Sequence, residues 1–266
     1  MTAYLLFWHF AIYSFLGWCL EVCFCTVTTG KLVNRGFLNG PVCPIYGFGM
    51  VLVLVVLGNV QNLAALFLGG MALASAMELA GGWALKKLFH TSWWDYSDQP
   101  FNLGGYICLK FSLAWGLCVA AVMRLIQPAV AALIGLITRP LGGGPGYVLA
   151  AVIAAAFLCD LIVTVKAIAK MNRDLGAIDE VARLLRQGSD AVSQHLGEGA
   201  LAVDGGMDKA RLDAAARLDL LRAEVADGRH VVARRLARAF PRMHHTRYDD
   251  ALRQALRWAQ ERRSKP

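Results

Sequence analysis

The feature that most constrains this chain is a succession of apolar runs, each close to 20 residues long. A helix rises about 1.5 Å per residue, so about 20 residues cross a hydrocarbon layer of about 30 Å. Five segments read as spans on this criterion: roughly 4–27, 44–60, 63–88, 105–125 and 146–168. Hydrophobic residues make up 57% of the 266 positions and charged residues 17%, more apolar surface than one soluble core can hide. The expected fold class is all-α: a polytopic transmembrane bundle of about five spans at 1–170, followed by an amphipathic helical tail at 171–266.

The stretch 125–138 is apolar but short and contains Pro128, so it is expected to be interfacial or partly re-entrant, with a sixth span as the alternative. The run from Leu141 through Gly142, Gly143, Gly144, Pro145 and Gly146 should break the chain before the last span. The first run lacks a basic leader segment, carries Trp8, Trp18 and Glu21, and precedes no small-residue cleavage pattern. It is expected to stay attached as a membrane helix rather than to be removed as a signal.

Lysine and arginine set the expected orientation. The residues before the first span and the connection from Gly58 to Asn62 carry none, whereas Lys31 and Arg35, Lys86 and Lys87, and Lys166, Lys170 and Arg173 mark the opposite ends. That places the N-terminus outside and the C-terminus in the cytoplasm of a bacterial inner membrane, with Arg124 and Arg139 against the trend.

From Met171 onward there are 18 Lys+Arg against 14 Asp+Glu and no run long enough to span. Met171, Leu175, Ile178, Ala182, Leu185, Val192 and Leu196 form an amphipathic stripe. Glycines at 197, 199, 205 and 206 then precede a second stripe at Leu212, Leu218, Leu221, Val225, Val232 and Leu236. A helical hairpin or short coiled coil is expected. Its interleaved acidic residues and few aromatics argue against nucleic acid as a partner. Anionic lipid, touched by Arg234, Arg235, Arg238 and Arg242, or a protein partner fits better. Seven cysteines, all within or beside apolar runs, imply no disulfide framework; Cys19 and Cys23 share a helix face but read as packing thiols, and no metal or cofactor site is expected.

Four ionisable residues fall inside the expected spans: Glu21, Glu78, Lys110 and Asp160. A charge at mid-membrane costs about 2.5 to 3.5 kcal/mol on insertion scales, so each should face protein or water. Glu78 shares a stripe with Gly70, Ala74 and Gly82, Glu21 is one turn from Gly17, and Asp160 shares a face with Ala156 and Thr164. Small residues at spacing four let helices approach closely, which turns these carboxylates into the bundle. The alternating topology puts all four at similar depth toward the cytoplasm. Two readings stay open: a polar site in which Lys110 partly neutralises the carboxylates, or an ion-pair network that only fixes packing.

Two loops expected on the same side are distinctive. One contains Asn34, Arg35, Gly36, Pro41, Pro44 and Tyr46, whose glycines and prolines suit a fixed non-helical path. The other contains Trp93, Trp94, Asp95, Tyr96 and Asn102, with aromatics that favour an interface and side chains that bond to backbone at turns. Together they are expected to roof the polar site; taken singly, each residue also reads as an interfacial anchor or a turn former.

At these residues the chain resembles the type IV, CmpB-like ABC-transporter permease family of bacterial membrane proteins. The resemblance rests on Tyr13 to Glu21, the loop from Asn34 to Pro41 with Cys43 to Gly47, the Glu78 helix, Trp93 to Ser97 with Phe101 and Asn102, and Trp115 with Gly116; it covers about residues 4 to 170. It implies a multi-span permease-like protein of unestablished substrate. No G-x-x-x-x-G-K-[ST] segment is present to cradle phosphates, so any ATPase must be a separate subunit.

Three function classes follow. The first is a transport component in which Glu21, Glu78 and Asp160 bind a cation, a proton or a cationic group. The second is a scaffold or sensor presenting the tail to a partner. The third is an intramembrane lipid-modifying enzyme using carboxylates near Lys110 and His90, for which no nucleophile, base and orienting set stands out and no catalytic residue is assigned. Small-residue stripes serve either packing within the chain or a homo-oligomer interface.

Overall fold

The computed structural model describes residues 1–141, 143–195, 213, 216, 217, 220, 235, 236, 238–240 and 242–261, with backbone alone at 141, 143, 184–195 and 258–261. The fold is all-α. Its helices are α1 (Ala3–Thr29), α2 (Pro44–Leu57), α3 (Leu63–Phe89), α4 (Leu109–Ala121), α5 (Gln127–Leu141), α6 (Gly143–His195) and α7 (Asp249–Glu261). Four helical stretches are long and apolar enough to cross a membrane: Ala3–Thr29, Leu63–Phe89, Leu109–Pro140 and Gly144–Arg183. Their outer faces carry the apolar excess: Leu20, Phe24, Leu117, Val152 and Val163 are all more than half exposed. A continuous belt of this kind needs lipid to cover it.

The second expected span, 44–60, is shorter than the others. Helix α2 has 14 residues, about 21 Å of rise, less than the hydrocarbon thickness. Pro44 opens it, as suits a residue without a backbone N–H to leave unpaired, and its apolar part ends at Gly58. The neighbouring helices alternate in direction. Gly17 faces Tyr46 while Gly47 faces Phe10 and Ser14; Gly69 faces Leu57 while Gly81 faces Ile45; Gly70 faces Val119 while Gly82 faces Tyr106. Each pair of contacts runs in opposite senses, so α1 to α4 are successively antiparallel. Tyr4 meets Tyr147 and Phe10 meets Phe157, which makes the start of α6 parallel to α1.

Glycine is required where α1 and α2 cross. A Cβ on Gly17 would fall 2.3 Å from Tyr46 Cγ, and one on Gly47 would fall 2.2 Å from Ser14 Oγ and 2.6 Å from the Phe10 carbonyl oxygen. The second contact involves backbone, which cannot rotate away. Gly47→Val is therefore expected to separate the two helices and to lower the yield of monodisperse protein in detergent by size-exclusion chromatography, with a cost of about 1–3 kcal/mol from overpacking. Gly49→Val, whose Cβ meets nothing within 4 Å, is the control and should leave the elution profile unchanged.

Residues 125–138 do not form a separate interfacial or re-entrant piece. They continue α4 through a π-helical turn at Val122–Ile126 into α5, giving one apolar helix over Leu109–Pro140. Pro128 supplies no N–H, which removes one rung of the ladder; the widened turn, with Gln127 N–H donating to the Val122 carbonyl, carries the helix past it. No sixth pass is made from this stretch. The expected break over residues 141–146 is narrower than its glycines suggest: α5 ends at Leu141 and α6 begins at Gly143, while Gly142 lies outside the described residues.

The turn also aims Gln127 inward. Tyr13 donates its hydroxyl to Gln127 Oε1 at 2.7 Å, Gln127 Nε2 is 3.2 Å from His9 Nε2, and His9 Nδ1 is 2.8 Å from the Leu5 carbonyl. With Gln127 Nε2 donating, His9 carries its proton on Nδ1, and this buried knot is satisfied without a net charge. Around it lies the main apolar core, which includes Trp8, Met50, Val53, Leu57, Leu66, Val119, Val130 and Ile134. These residues occupy the first half of α1, the middle and end of α2, the start of α3, the end of α4 and the first turns of α5. The opposite end of the bundle is polar.

The chain forms two compact units, one of Met1–Val165 with Arg238–Met243 and one of Lys166–Ala237 with His244–Pro266. The division falls inside α6, which runs without interruption from the apolar span into the first amphipathic stripe. In the second unit Met171, Leu175, Ile178 and Val181 are buried, as are Ala251, Leu252 and Ala255 of α7. That helix is held at its start by Asp249, which accepts from the His245 N–H at 3.2 Å and from Arg253 Nε at 2.7 Å. Apart from Leu236, the second stripe and the glycines before it lie outside the described residues.

Candidate functional site

The polar end of the bundle is built from the α1–α2 crossing. Cys43 donates its N–H to the Ser14 carbonyl at 2.8 Å, which fixes where α2 starts against α1. Two residues into that helix, the Tyr46 ring lies over Gly17, the only residue type that leaves it room. The ring then reaches one turn along α1, and its hydroxyl donates to Glu21 Oε1 at 2.6 Å. Arg35 completes the carboxylate from the following loop, with Nε 2.9 Å from Glu21 Oε2. Both partners of this ion pair are about one quarter exposed.

The second carboxylate, Glu78, comes from α3. Its Oε1 is 3.4 Å from the Tyr96 hydroxyl, and the Trp115 indole of α4 is its other polar neighbour. Glu78 Oε2 and Trp115 Nε1 are both buried, and the indole N–H lies beside the carboxylate without the geometry of a full hydrogen bond. Among the described residues Glu78 forms no ion pair. Trp115 joins the two halves of the site: its ring packs edge-on against Tyr46, centroids 5.7 Å apart. Tyr96 is held by stacking on Phe111 at 4.8 Å. Burial and the neighbouring charge of Glu78 push the Tyr96 phenol above its ordinary range, so at neutral pH it is a proton donor toward that carboxylate.

The first loop is tied down by its own asparagines. Asn34 Oδ1 accepts from Trp18 Nε1 at 2.7 Å and from the Gly36 N–H at 2.9 Å, while Asn34 Nδ2 donates to the Asn39 carbonyl at 2.8 Å. The far end of the loop is gripped by Asp160 of α6. Its Oδ1 accepts from the Asn39 N–H at 3.0 Å and Asn39 Nδ2 at 2.8 Å, and its Oδ2 accepts from the Gly40 N–H at 2.7 Å. Asn39 Nδ2 also reaches Thr164 Oγ1 at 3.0 Å. Pro41 is exposed beyond this grip, and Pro44 begins α2.

The second loop folds on a small hairpin in which Asn102 pairs with Cys108 and Leu103 with Ile107. Its turn uses Gly104 and Gly105 at φ of 59° and 73°, the left-handed region that glycine enters freely. Asn102 Nδ2 donates to the Gln99 carbonyl at 2.8 Å, Asp95 Oδ1 accepts the Ser97 N–H at 2.9 Å, and Trp94 Nε1 donates to the Tyr106 carbonyl at 2.9 Å. Trp93 is buried, edge-on to Phe37 at 5.4 Å and to Phe240 at 5.3 Å.

Of the residues singled out from the sequence, Glu21, Arg35, Tyr46, Glu78 and Tyr96 come together here. Asp160 does not join them as a bare carboxylate, because loop donors occupy both of its oxygens. Lys110 is a correction: it is exposed, its ammonium 5.7 Å from the Phe111 ring, and the cation at the carboxylates is Arg35. Trp94, Asp95, Asn34, Gly36 and Asn102 shape the two loops. Trp115 was legible only as part of a motif, since spacing along α4 does not reveal which carboxylate it faces. Among the described residues no group of three or more His, Cys, Asp or Glu could hold a metal ion, and all seven cysteines are free thiols.

The site and its loops lie within a stretch that matches a known family. A family model described as "Putative ABC-transporter type IV" matches residues 8–165. No curated protein and no solved structure matches the chain.

Proposed function

The chain belongs to the type IV ABC-transporter family, and from that premise we propose that it is the membrane-spanning component of a transport system whose working site is Glu78 beside the Glu21–Arg35 pair. The observation that supports this reading is the unequal treatment of two neighbouring carboxylates. Glu21 has a cation and a tyrosine hydroxyl; Glu78 has only the long contact from Tyr96 and the neighbouring Trp115 indole, and among the described residues no cation. An intramembrane carboxylate left in this state is suited to take a proton, a metal cation or a cationic group in turn. ATP hydrolysis, which this chain has no phosphate-binding segment to perform, is assigned to a separate subunit. The lysines and arginines orient the bundle with its N-terminus outside and its polar end toward the cytoplasm of the inner membrane.

A thermal-stability titration tests the proposal. Purified protein is melted with Na⁺, K⁺, Mg²⁺, ammonium or choline, and separately across pH 5 to 9. A ligand that binds only the folded state at about 100 times its Kd adds about 2.7 kcal/mol. One of these conditions is expected to raise the melting midpoint of the wild type by several degrees and to leave Glu78→Gln unmoved, while the two proteins elute alike from size exclusion. Equal responses in the two proteins would remove Glu78 from the site.

A scaffold or sensor is the second reading. It draws support from Arg238–Met243, which belong to the compact membrane unit although they are remote in sequence. Deleting residues 172–266 then abolishes the cellular phenotype, whereas a permease acting through Glu78 alone retains part of it.

A further inference from the structure

The surface of the two loops is occupied by a piece of the chain from outside the family-matched region. Phe240 places its ring edge-on to Trp93 at 5.3 Å, and the Arg35 guanidinium carbon is 5.8 Å from the centre of the same ring. Trp93 is in turn edge-on to Phe37 of the first loop. Two residues beyond Phe240, Arg242 Nη1 is 3.1 Å from Asp98 Oδ1 and 3.1 Å from the Asp95 carbonyl. Ala239 and Met243, on either side, are buried.

We propose that the loop face formed by Arg35, Phe37, Trp93 and Asp98 is a docking site for the chain's own Phe240 and Arg242, and that its occupancy holds Arg35 on Glu21. The division of labour follows from exposure. The Arg242–Asp98 pair is more than half exposed on both sides, so it sets the register and contributes little to holding the segment. Phe240, packed against a buried tryptophan, is the anchor. Its ring also presents a π-face neighbour to Arg35, whose Nε edge is engaged by Glu21. Seating the segment thus favours the one guanidinium position that neutralises Glu21; removing it frees Arg35 to swing away and leaves Glu21, like Glu78, without a cation. Consistent with a close contact, the hydrogen bond from Arg242 holds the Asp98 carboxyl below its ordinary range. The segment chemistry, an aromatic residue followed two positions later by arginine, is what a competing ligand would have to reproduce.

The inference concerns the same site as the transport reading, but the docking does not require that reading. Hydrogen–deuterium exchange is measured on the full chain in phosphatidylcholine nanodiscs. Phe240→Ala is expected to raise exchange in residues 30–43 and 90–101 by about tenfold while α1 and α3 stay at wild-type rates. A synthetic peptide covering residues 236–246, added in excess, restores protection. Arg242→Ser, an exposed change that the fold tolerates, is expected to give a smaller increase in the same loops and serves if Phe240→Ala aggregates. Wild-type exchange rates in the loops of either folded variant overturn the proposal. Nanodiscs containing phosphatidylglycerol supply the last arm: retained loop protection supports docking, and loss of it assigns Arg242 to lipid headgroups instead. Failure of Glu78 to bind a cation would leave each of these results unaltered, so the two proposals fail separately.

Discussion

Arg35→Ala is expected to destabilise the protein by roughly 2–3 kcal/mol, and Glu21→Gln placed on top of it is expected to recover most of that loss. Removing one partner of a buried ion pair costs about 3–5 kcal/mol because the other charge is stranded; the partial exposure of this pair lowers the figure. The Tyr46 hydroxyl remains on Glu21 after the substitution, but Glu21 and Glu78 are then neighbouring carboxylates without a cation between them. Neutralising Glu21 removes the repulsion along with the stranded charge. Thermal unfolding of wild type, the two single variants and the double variant forms a cycle. Additive effects would mean that Arg35 is held by the loop alone and that its contact with Glu21 contributes nothing.

Asp160→Ala is expected to lower stability by roughly 2–4 kcal/mol, through the loss of charge-assisted hydrogen bonds to two backbone N–H groups and one side-chain amide. The backbone donors of Asn39 and Gly40 then have no acceptor in the bundle, and the loop carrying Arg35 loses its far anchor. Asp160→Asn separates the two causes. Its carbonyl oxygen still accepts from one partner, but its amide cannot accept from the Gly40 N–H, so it is expected to fall between wild type and alanine. The measurement is the melting midpoint by size-exclusion chromatography after heating. Equal midpoints for all three proteins would assign the loop's position to Asn34 and the α2 start instead.

These two residues also mark what the sequence discloses and what it withholds. Run length fixed the apolar helices, and small residues at spacing four correctly turned Glu21 and Glu78 inward, because close approach needs glycine where Tyr46 meets Gly17 and where Trp94 and Tyr106 meet Gly82. Which helix or loop carries each residue was legible; direction around the helix axis was not. Lys110, near the start of α4, is exposed, and Arg35, placed in a loop, folds back over Glu21 by a turn that Asn34 closes with the Gly36 N–H. Asp160 followed the small-residue pattern yet pairs with backbone donors, whose orientation no side-chain spacing encodes. The shortness of 125–138 and its Pro128 suggested an interfacial or re-entrant piece because a proline removes a hydrogen bond; the π turn before it carries the helix on and turns Gln127 toward Tyr13. The contact of Phe240 with Trp93 joins residues too remote in sequence for any local pattern to link.

The proposed function places Glu78 in a membrane-embedded site reached from the cytoplasmic side. The most direct measurement is the reaction of a charged, membrane-impermeant thiol reagent with a single cysteine at position 78, or at Asn59 in the connection between α2 and α3, on a background without native cysteines. Right-side-out and inside-out vesicles are compared. Modification is expected at 59 only in right-side-out vesicles and at 78 only in inside-out vesicles; modification at 78 from the outer face, or at 59 from the inner, would overturn the cytoplasmic placement of the site.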